Sequence, residues 1–240
     1  MFGFCPLYFE NDLCQILIRN AVLSEGVSLL LCVLATIAAS YLLGSLNFGI
    51  ILSKLVYHED IRDHGSGNAG STNMLRTYGK GLAALTLVCD MLKGAVALLV
   101  GALLLNPLAG SKVDGIAIAS LFVILGHCFP CFYHFKGGKG VATFAMVILI
   151  SRPLIFVILL FIFIVIVAGT KFVSLGSMIS ALMFPVLLQS LDTTYLIGWF
   201  HLVAVIIALL IVFMHRTNIR RLLDGKESKI SFSKKNKESK

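Results

Sequence analysis

Seven apolar runs recur along this chain, near residues 29–53, 82–106, 115–132, 141–150, 154–169, 173–190 and 195–214, and they constrain the fold more than any other feature. Most approach the length of about 20 residues that a helix needs to cross a bilayer core of about 30 Å. In hydrocarbon every backbone N–H and C=O must find its partner within the protein, which leaves helices or closed barrels. None of the runs alternates polar and apolar residues with period two, so the fold class is an all-α polytopic membrane protein. The charged share of 13% is about half that of a soluble domain.

The run 141–150 is short, since ten residues rise only about 15 Å. Ser151-Arg152-Pro153 interrupts an otherwise apolar stretch from Val141 to Ala168. Either one long kinked helix or two short tilted ones joined by a tight turn satisfies that pattern. Charge sets the orientation. With seven transmembrane helices, Lys54, Arg62, Arg76, Lys80, Lys136, Lys139, Lys171, Arg216, Arg220 and Arg221 share one face with the tail lysines, and the other face keeps Arg19, Lys112 and Arg152. The positive-inside rule then puts the N-terminus outside and the C-terminus in the cytoplasm. Six spans would divide the polar loops from the basic tail. The expected organisation is an N-terminal extension 1–28, a seven-helix membrane domain 29–225 and a basic cytoplasmic tail 226–240.

The N-terminus lacks the basic region and cleavage site of a signal peptide. Much of the net charge of +8 lies in Lys226, Lys229, Lys234, Lys235, Lys237 and Lys240. Without an aromatic-interleaved basic groove, this tail suits an anionic leaflet and not nucleic acid. Cys128-x-x-Cys131 is the only close cysteine pair and reads as small packed thiols, so no metal is assigned.

Three polar segments fall on the cytoplasmic side. In the first, Gly65, Gly67 and Gly70 allow backbone N–H groups to converge as an anion nest. Ser66, Asn68, Ser71, Thr72 and Asn73 add donors, and Arg76 a planar fork for phosphate. Ser66, Thr72 and Asn73 are expected to orient substrate. The second runs from Gly126-His127 through Lys136-Gly137-Gly138-Lys139-Gly140 into a helix starting at about Val141, whose N-terminus favours an anion. It does not match a nucleotide P-loop. The third, His215 to Glu227, places His215 and Asn218 three apart on one helix face. Inside the second span, Asp90 and Lys93 form an i, i+3 pair, as buried membrane charges must. His58 and Asp63 satisfy the H-x4-D spacing of another acyltransferase superfamily, but its companion motifs are absent.

Together these residues resemble the bacterial acyl-phosphate:glycerol-3-phosphate acyltransferase family, the PlsY type. The match runs from about Tyr41 to Glu227 and includes Gly44-Ser45, Phe48-Gly49, Asp60-Ile61-Arg62, the Gly65–Arg76 loop, Asp90-x-x-Lys93-Gly94, Gly126–Thr143 and His215–Glu227. Ser71 departs from the family's usual alanine. The resemblance implies a compact seven-helix enzyme of the bacterial inner membrane with its active site at the cytoplasmic face and no cofactor. It implies the first step of phospholipid synthesis: transfer of a fatty acyl group from acyl phosphate to the sn-1 hydroxyl of glycerol 3-phosphate, giving lysophosphatidic acid and phosphate. Its partners would be those two substrates, membrane lipids and the soluble enzyme that makes acyl phosphate.

Carried onto this chain, the resemblance puts Ser66, Arg76, one or both of Lys136 and Lys139, His215 and Asn218 in the site. The glycines 65, 67, 70, 137, 138 and 140, with Asn68 and Arg216, would help to bind phosphate, supported by Asp90, Lys93, His127 and Glu227. His215, at the end of the last span, is either the general base or, as expected here because a helix C-terminus and a nearby anion favour a cation, a protonated phosphate ligand, with a substrate phosphate taking the hydroxyl proton. The alternative class is a transporter or flippase for a phosphorylated or lipid solute. It would need a polar pathway at mid-membrane, for which only Asp90, Lys93 and scattered hydroxyls are available.

Overall fold

The computed structural model describes residues 10–109, 112–191 and 197–230, and every regular element among them is helical. Residues 1–9 and the lysines beyond Ile230 lie outside the described residues. The expected apolar runs fall on helices, apart from a break at Leu46-Asn47 in the first, Phe129-Pro130 in the third, and residues 195–196 of the last, which lie outside the described residues. Helix α1 spans Glu10–Ser45, so it passes through the expected boundary at residue 28; between Glu10 and Gly26 it contains no glycine or proline. A break at Leu46-Asn47 separates α1 from α2, Phe48–Tyr57. After α3, Ser71–Thr77, come the long helices α4, Lys80–Ala109, and α5, Lys112–Cys128.

The break after α1 is held by a charge from α4. Carbonyls in the last turn of a helix lack intrahelical partners. Lys93 Nζ donates to Gly44 O at 3.0 Å and to Leu46 O at 2.7 Å. Its third partner is Asp90 Oδ1, 2.9 Å away. The expected i, i+3 pair therefore exists, and it also stitches α4 to the end of α1.

The stretch from Val141 to Ala168 is two helices. Arg152 adopts φ −146°, ψ 74°, ending α6 (Val141–Ser151), and Pro153 opens α7 (Pro153–Thr170). Proline tolerates the first helical position because its missing N–H would be unpaired there anyway. Helices α8 (Val173–Leu191) and α9 (Ile197–Met214) follow. At His215 the chain bends by 54° into the short helix α10, Arg216–Leu223.

Among the described residues, five stretches are long and apolar enough to cross a membrane, and α9 with α10 makes a bent sixth candidate. Helix α6 is a shorter apolar helix. Leu30, Leu99, Leu103, Phe161, Trp199 and Leu209 are exposed, the pattern of a bundle that meets lipid and not water. An apolar core joins the helices. Phe144, Phe184 and Phe200 stack edge to face at 5.4 and 6.4 Å between centroids.

Close helix approach replaces the hydrophobic effect as the source of association in lipid, and small residues permit it. A Cβ on Gly44 would stand 2.2 Å from Val123 O, and one on Gly126 would stand 2.2 Å from Tyr41 O. The α1 and α5 backbones therefore touch. Gly126→Val should force them apart and destabilise the bundle by about 1–3 kcal/mol. A lowered melting temperature in detergent checks this; an unchanged one contradicts the contact.

Candidate active site

The loop between α2 and α3 is built on two side chains. Asp60 accepts from Arg62 N at 3.0 Å and grips its guanidinium through Nε at 2.9 Å and Nη2 at 2.7 Å. The Arg62 guanidinium thereby holds the Asp60 carboxyl below the usual carboxylate range. Arg62 Nη1 donates onward to Tyr133 O and Lys136 O at 3.1 and 2.9 Å, so it staples the first polar loop to the second. Asn73 braces the first loop from inside. Its Nδ2 donates to Ile61 O and His64 O, and its Oδ1 accepts from Ser66 N at 2.9 Å. Beneath them Ile50, Ile61, Ala69 and Met74 form a small apolar cluster that seats the polar loop on α2.

Both glycine loops satisfy much of their own backbone. Gly65 and Gly67 have φ of +58° and +71° and make the turn, but Ser66 N is bonded to Asn73 and Gly67 N to His64 O. In the second loop Gly137 N donates to Cys128 O and Gly138 N to His127 O. The expected nests are therefore partly closed, and side chains carry more of the anion-binding capacity than the amides do.

A cavity of about 480 Å³ lies where the three polar segments meet. Ser66, Asn68, Gly70, Thr72 and Arg76 reach it from the first, Lys139, Gly140 and the start of α6 from the second, and His215, Asn218 and Glu227 from the third. Asn73, Asp90 and His127 also border it. Gly65, Gly67, Lys136, Gly137, Gly138, Lys93 and Arg216 do not. Lys136 offers its carbonyl to Arg62 and its side chain stays outside. Arg216 lies over the Phe213 ring, 4.7 Å from its centroid, because the bend at His215 turns the α10 face. Asn73 borders the cavity, but its amide is committed to the loop.

The third segment folds back over the cavity. Glu227 is buried and accepts from Ser174 Oγ at 2.7 Å, Asn218 Nδ2 at 2.7 Å and Arg221 Nε at 2.8 Å. Burial works against its charge, but these hydrogen bonds outweigh burial and hold the carboxyl below its usual value. Asn218 Oδ1 accepts from Lys139 Nζ, and Arg76 Nη2 donates to Ser228 O at 3.1 Å. Arg76, Lys139 and Arg221 thus face a single carboxylate here. The surplus positive charge calls for an anion.

Lys139 and His215 respond to that surplus. Burial, with Arg221 and Arg76 nearby, lowers Lys139 to about 8. Burial and the Lys139 charge lower His215 to about 4, which favours the neutral imidazole before an anion is bound, whereas the sequence expectation is a cation holding a phosphate. Sequence places His215 at the end of α9, but it is also the N-cap of α10, where the dipole disfavours a positive charge. His215 Nδ1 lies 2.8 Å from Ile211 O. A carbonyl only accepts, so Nδ1 carries the proton and Nε2 is left as an acceptor.

Sequence reasoning missed Arg62 as the staple and Ser174 as the partner of Glu227. Ser174, Ser177 and Ser180 are spaced three apart, a polar stripe in an otherwise apolar helix, and all three line the cavity; that spacing was the available signal. Beyond the polar end, Phe144, Ile148, Leu159, Phe163 and Val167 line an apolar arm between α6 and α7.

A cationic pocket continuous with an apolar arm, inside a helical membrane bundle, defines a protein that handles an anionic amphiphile. The family model described as glycerol-3-phosphate acyltransferase matches residues 34–225. A glycerol-3-phosphate acyltransferase of Bartonella henselae is 42% identical over 191 residues, covering 80% of this chain and 88% of the relative. One from Neisseria meningitidis serogroup C is 41% identical over 201 residues, covering 84% and 98%. The crystal structure of PlsY, an integral membrane glycerol 3-phosphate acyltransferase, in its glycerol 3-phosphate form matches with a TM-score of 0.73 at 33% identity. That match covers 83% of this chain and 96% of the other. The lysophosphatidic acid form gives 0.69 at 32% identity, covering 83% and 95%. This chain belongs to the glycerol-3-phosphate acyltransferase family and is an acyltransferase of the membrane; the transporter alternative finds no support.

The sign of the Lys139 shift gives a pH dependence. Lys139 is charged below about pH 8 and loses its charge as pH rises through that value, so anion binding weakens there. kcat/KM should fall above about pH 8, and Lys139→Arg, which stays charged, should remove that limb. A limb of unchanged position in Lys139→Arg would assign it to another group.

Proposed function

We propose that this enzyme transfers a fatty acyl group from acyl phosphate to the sn-1 hydroxyl of glycerol 3-phosphate at the cytoplasmic face of a bacterial inner membrane, which the chain crosses seven times with its N-terminus outside. The observation that carries the reading is the single cavity in which Arg76 and Lys139 stand at one end and an apolar arm leaves from the other. Such a shape suits a phosphate and an acyl chain joined in one donor molecule. The basic residues of the loops share the face on which the cavity opens, as positive-inside topology requires.

Acyl phosphate is already activated, so positioning and charge stabilisation can supply most of the rate. Arg76 and Lys139 neutralise the two phosphates, and Arg76 exchanges the Ser228 carbonyl for one of them. Ser66 and Thr72 orient the acceptor through their hydroxyls. His215 Nε2 accepts a hydrogen bond from the sn-1 hydroxyl and aims its oxygen at the acyl carbonyl. Bound phosphates raise the basicity of the imidazole, since nearby anions favour its charged form. The hydroxyl oxygen bonds to the acyl carbon while its proton passes to His215 Nε2, the bond from that carbon to the phosphate oxygen breaks, and the departing phosphate takes the proton from the imidazole. Asn218 holds Lys139 in place, and Glu227 holds Asn218.

The direct test is purified protein in micelles given acyl phosphate and glycerol 3-phosphate without added metal. Equal release of phosphate and lysophosphatidic acid is expected; product from acyl-CoA alone would overturn the donor. His215→Ala should lower kcat by about 100- to 10,000-fold with a smaller change in KM for glycerol 3-phosphate. A large KM increase with kcat preserved would instead make His215 a phosphate ligand.

A further inference from the structure

His127 stands at the end of α5, 2% exposed, and no step above uses its imidazole. The second glycine loop turns back over it, with Gly138 N bonded to His127 O at 3.1 Å. Gly138 is not among the residues with positive φ, so its backbone does not demand glycine. The ring does. A Cβ at Gly138 would lie 2.1 Å from His127 Nε2, 2.9 Å from Cε1 and 3.0 Å from Cδ2. All three nearest atoms belong to the imidazole.

The ring is backed from the other side. His127 Nδ1 lies 3.6 Å from Asp90 Oδ1, and Asp90 is paired with Lys93. Thr143 Oγ1, in the first turn of α6, donates to Asp90 O at 3.0 Å. One stack thus runs from the α1–α2 break through Lys93, Asp90 and His127 to Gly138, next to Lys139. A rigid ring sets the height of the loop more closely than a flexible chain would.

We propose that His127 is a positioning residue: its imidazole, with Asp90 behind it, is the plate on which peptide unit 138 rests, and it fixes how far Lys139 and Gly140 project into the cavity. The inference rests on the cavity being the phosphate site of the acyl transfer. It explains why position 138 must lack a side chain, and it makes that requirement conditional on the ring. A methyl group at 138 lifts the loop only while the imidazole is present.

The test is a double-mutant cycle on the full chain in detergent, with KM for each phosphate substrate and kcat measured separately. Gly138→Ala should raise KM for a phosphate substrate by about tenfold or more, because small displacements of a positioning group are costly, with a smaller change in kcat. His127→Ala should raise it less. The pair Gly138→Ala/His127→Ala should return to within about threefold of His127→Ala alone, since contacting residues couple. Losses that simply multiply in the double variant would overturn the proposal, as would a Gly138→Ala enzyme with unchanged KM. If Gly138→Ala does not fold, recovery of monodisperse protein on adding His127→Ala supports the plate, and no recovery sinks it. Should acyl phosphate give no product in any variant, the substrate reading fails, while the same cycle read in melting temperature still decides the contact.

Discussion

One carboxylate determines how much positive charge this site retains. Glu227 is buried with Ser174, Asn218 and Arg221 around it, and a buried charge without partners would be expensive. It neutralises Arg221 directly but reaches Lys139 only through the amide of Asn218. Lys139 is therefore fixed in place without being fully compensated, and Arg76 is tied only to a backbone carbonyl. A second carboxylate at this rim would cancel the attraction for phosphate. Removing Glu227 would leave the segment after α10 without its anchor on α8. The positive surplus and the closed end of the cavity thus follow from the same residue.

The same logic operates deeper in the bundle. Lys93 donates to Gly44 O and Leu46 O and pairs with Asp90, so a charge that lipid would penalise becomes the clamp of a helix break. That break lets α2 depart from the line of α1 and carry the first polar loop. Arg62 then ties this loop to the second across 71 and 74 positions of sequence. The cations that border the cavity project from a frame of paired charges and short backbone bonds.

The apolar runs were legible as helices because lipid leaves the backbone few options, and the polar loops stood out because membrane connections rarely need such chemistry. The break at Arg152 was visible as an alternative that proline alone could not decide. What could not be read was where long-range partners fall. Arg62 binds carbonyls, which every residue has, so no local pattern marks its targets. Asn73 looked like a ligand group, yet its amide closes the loop. Lys136 and Lys139 look equivalent in sequence, and only the turn of the glycine loop sends one inward. For His215, sequence shows that it ends α9 but not that it is buried beside Lys139, and both surroundings favour the neutral imidazole until an anion binds.

The central claim is that two phosphates occupy this cavity side by side before the acyl group moves. Calorimetric titration of glycerol 3-phosphate into the detergent-solubilised enzyme, with and without a saturating non-reactive acyl phosphonate, tests it most directly. The account predicts that glycerol 3-phosphate binds in both cases, with one site per chain and a dissociation constant changed only modestly by the phosphonate. Mutual exclusion, with glycerol 3-phosphate binding abolished by the phosphonate, would contradict it and leave room for only one phosphate at a time.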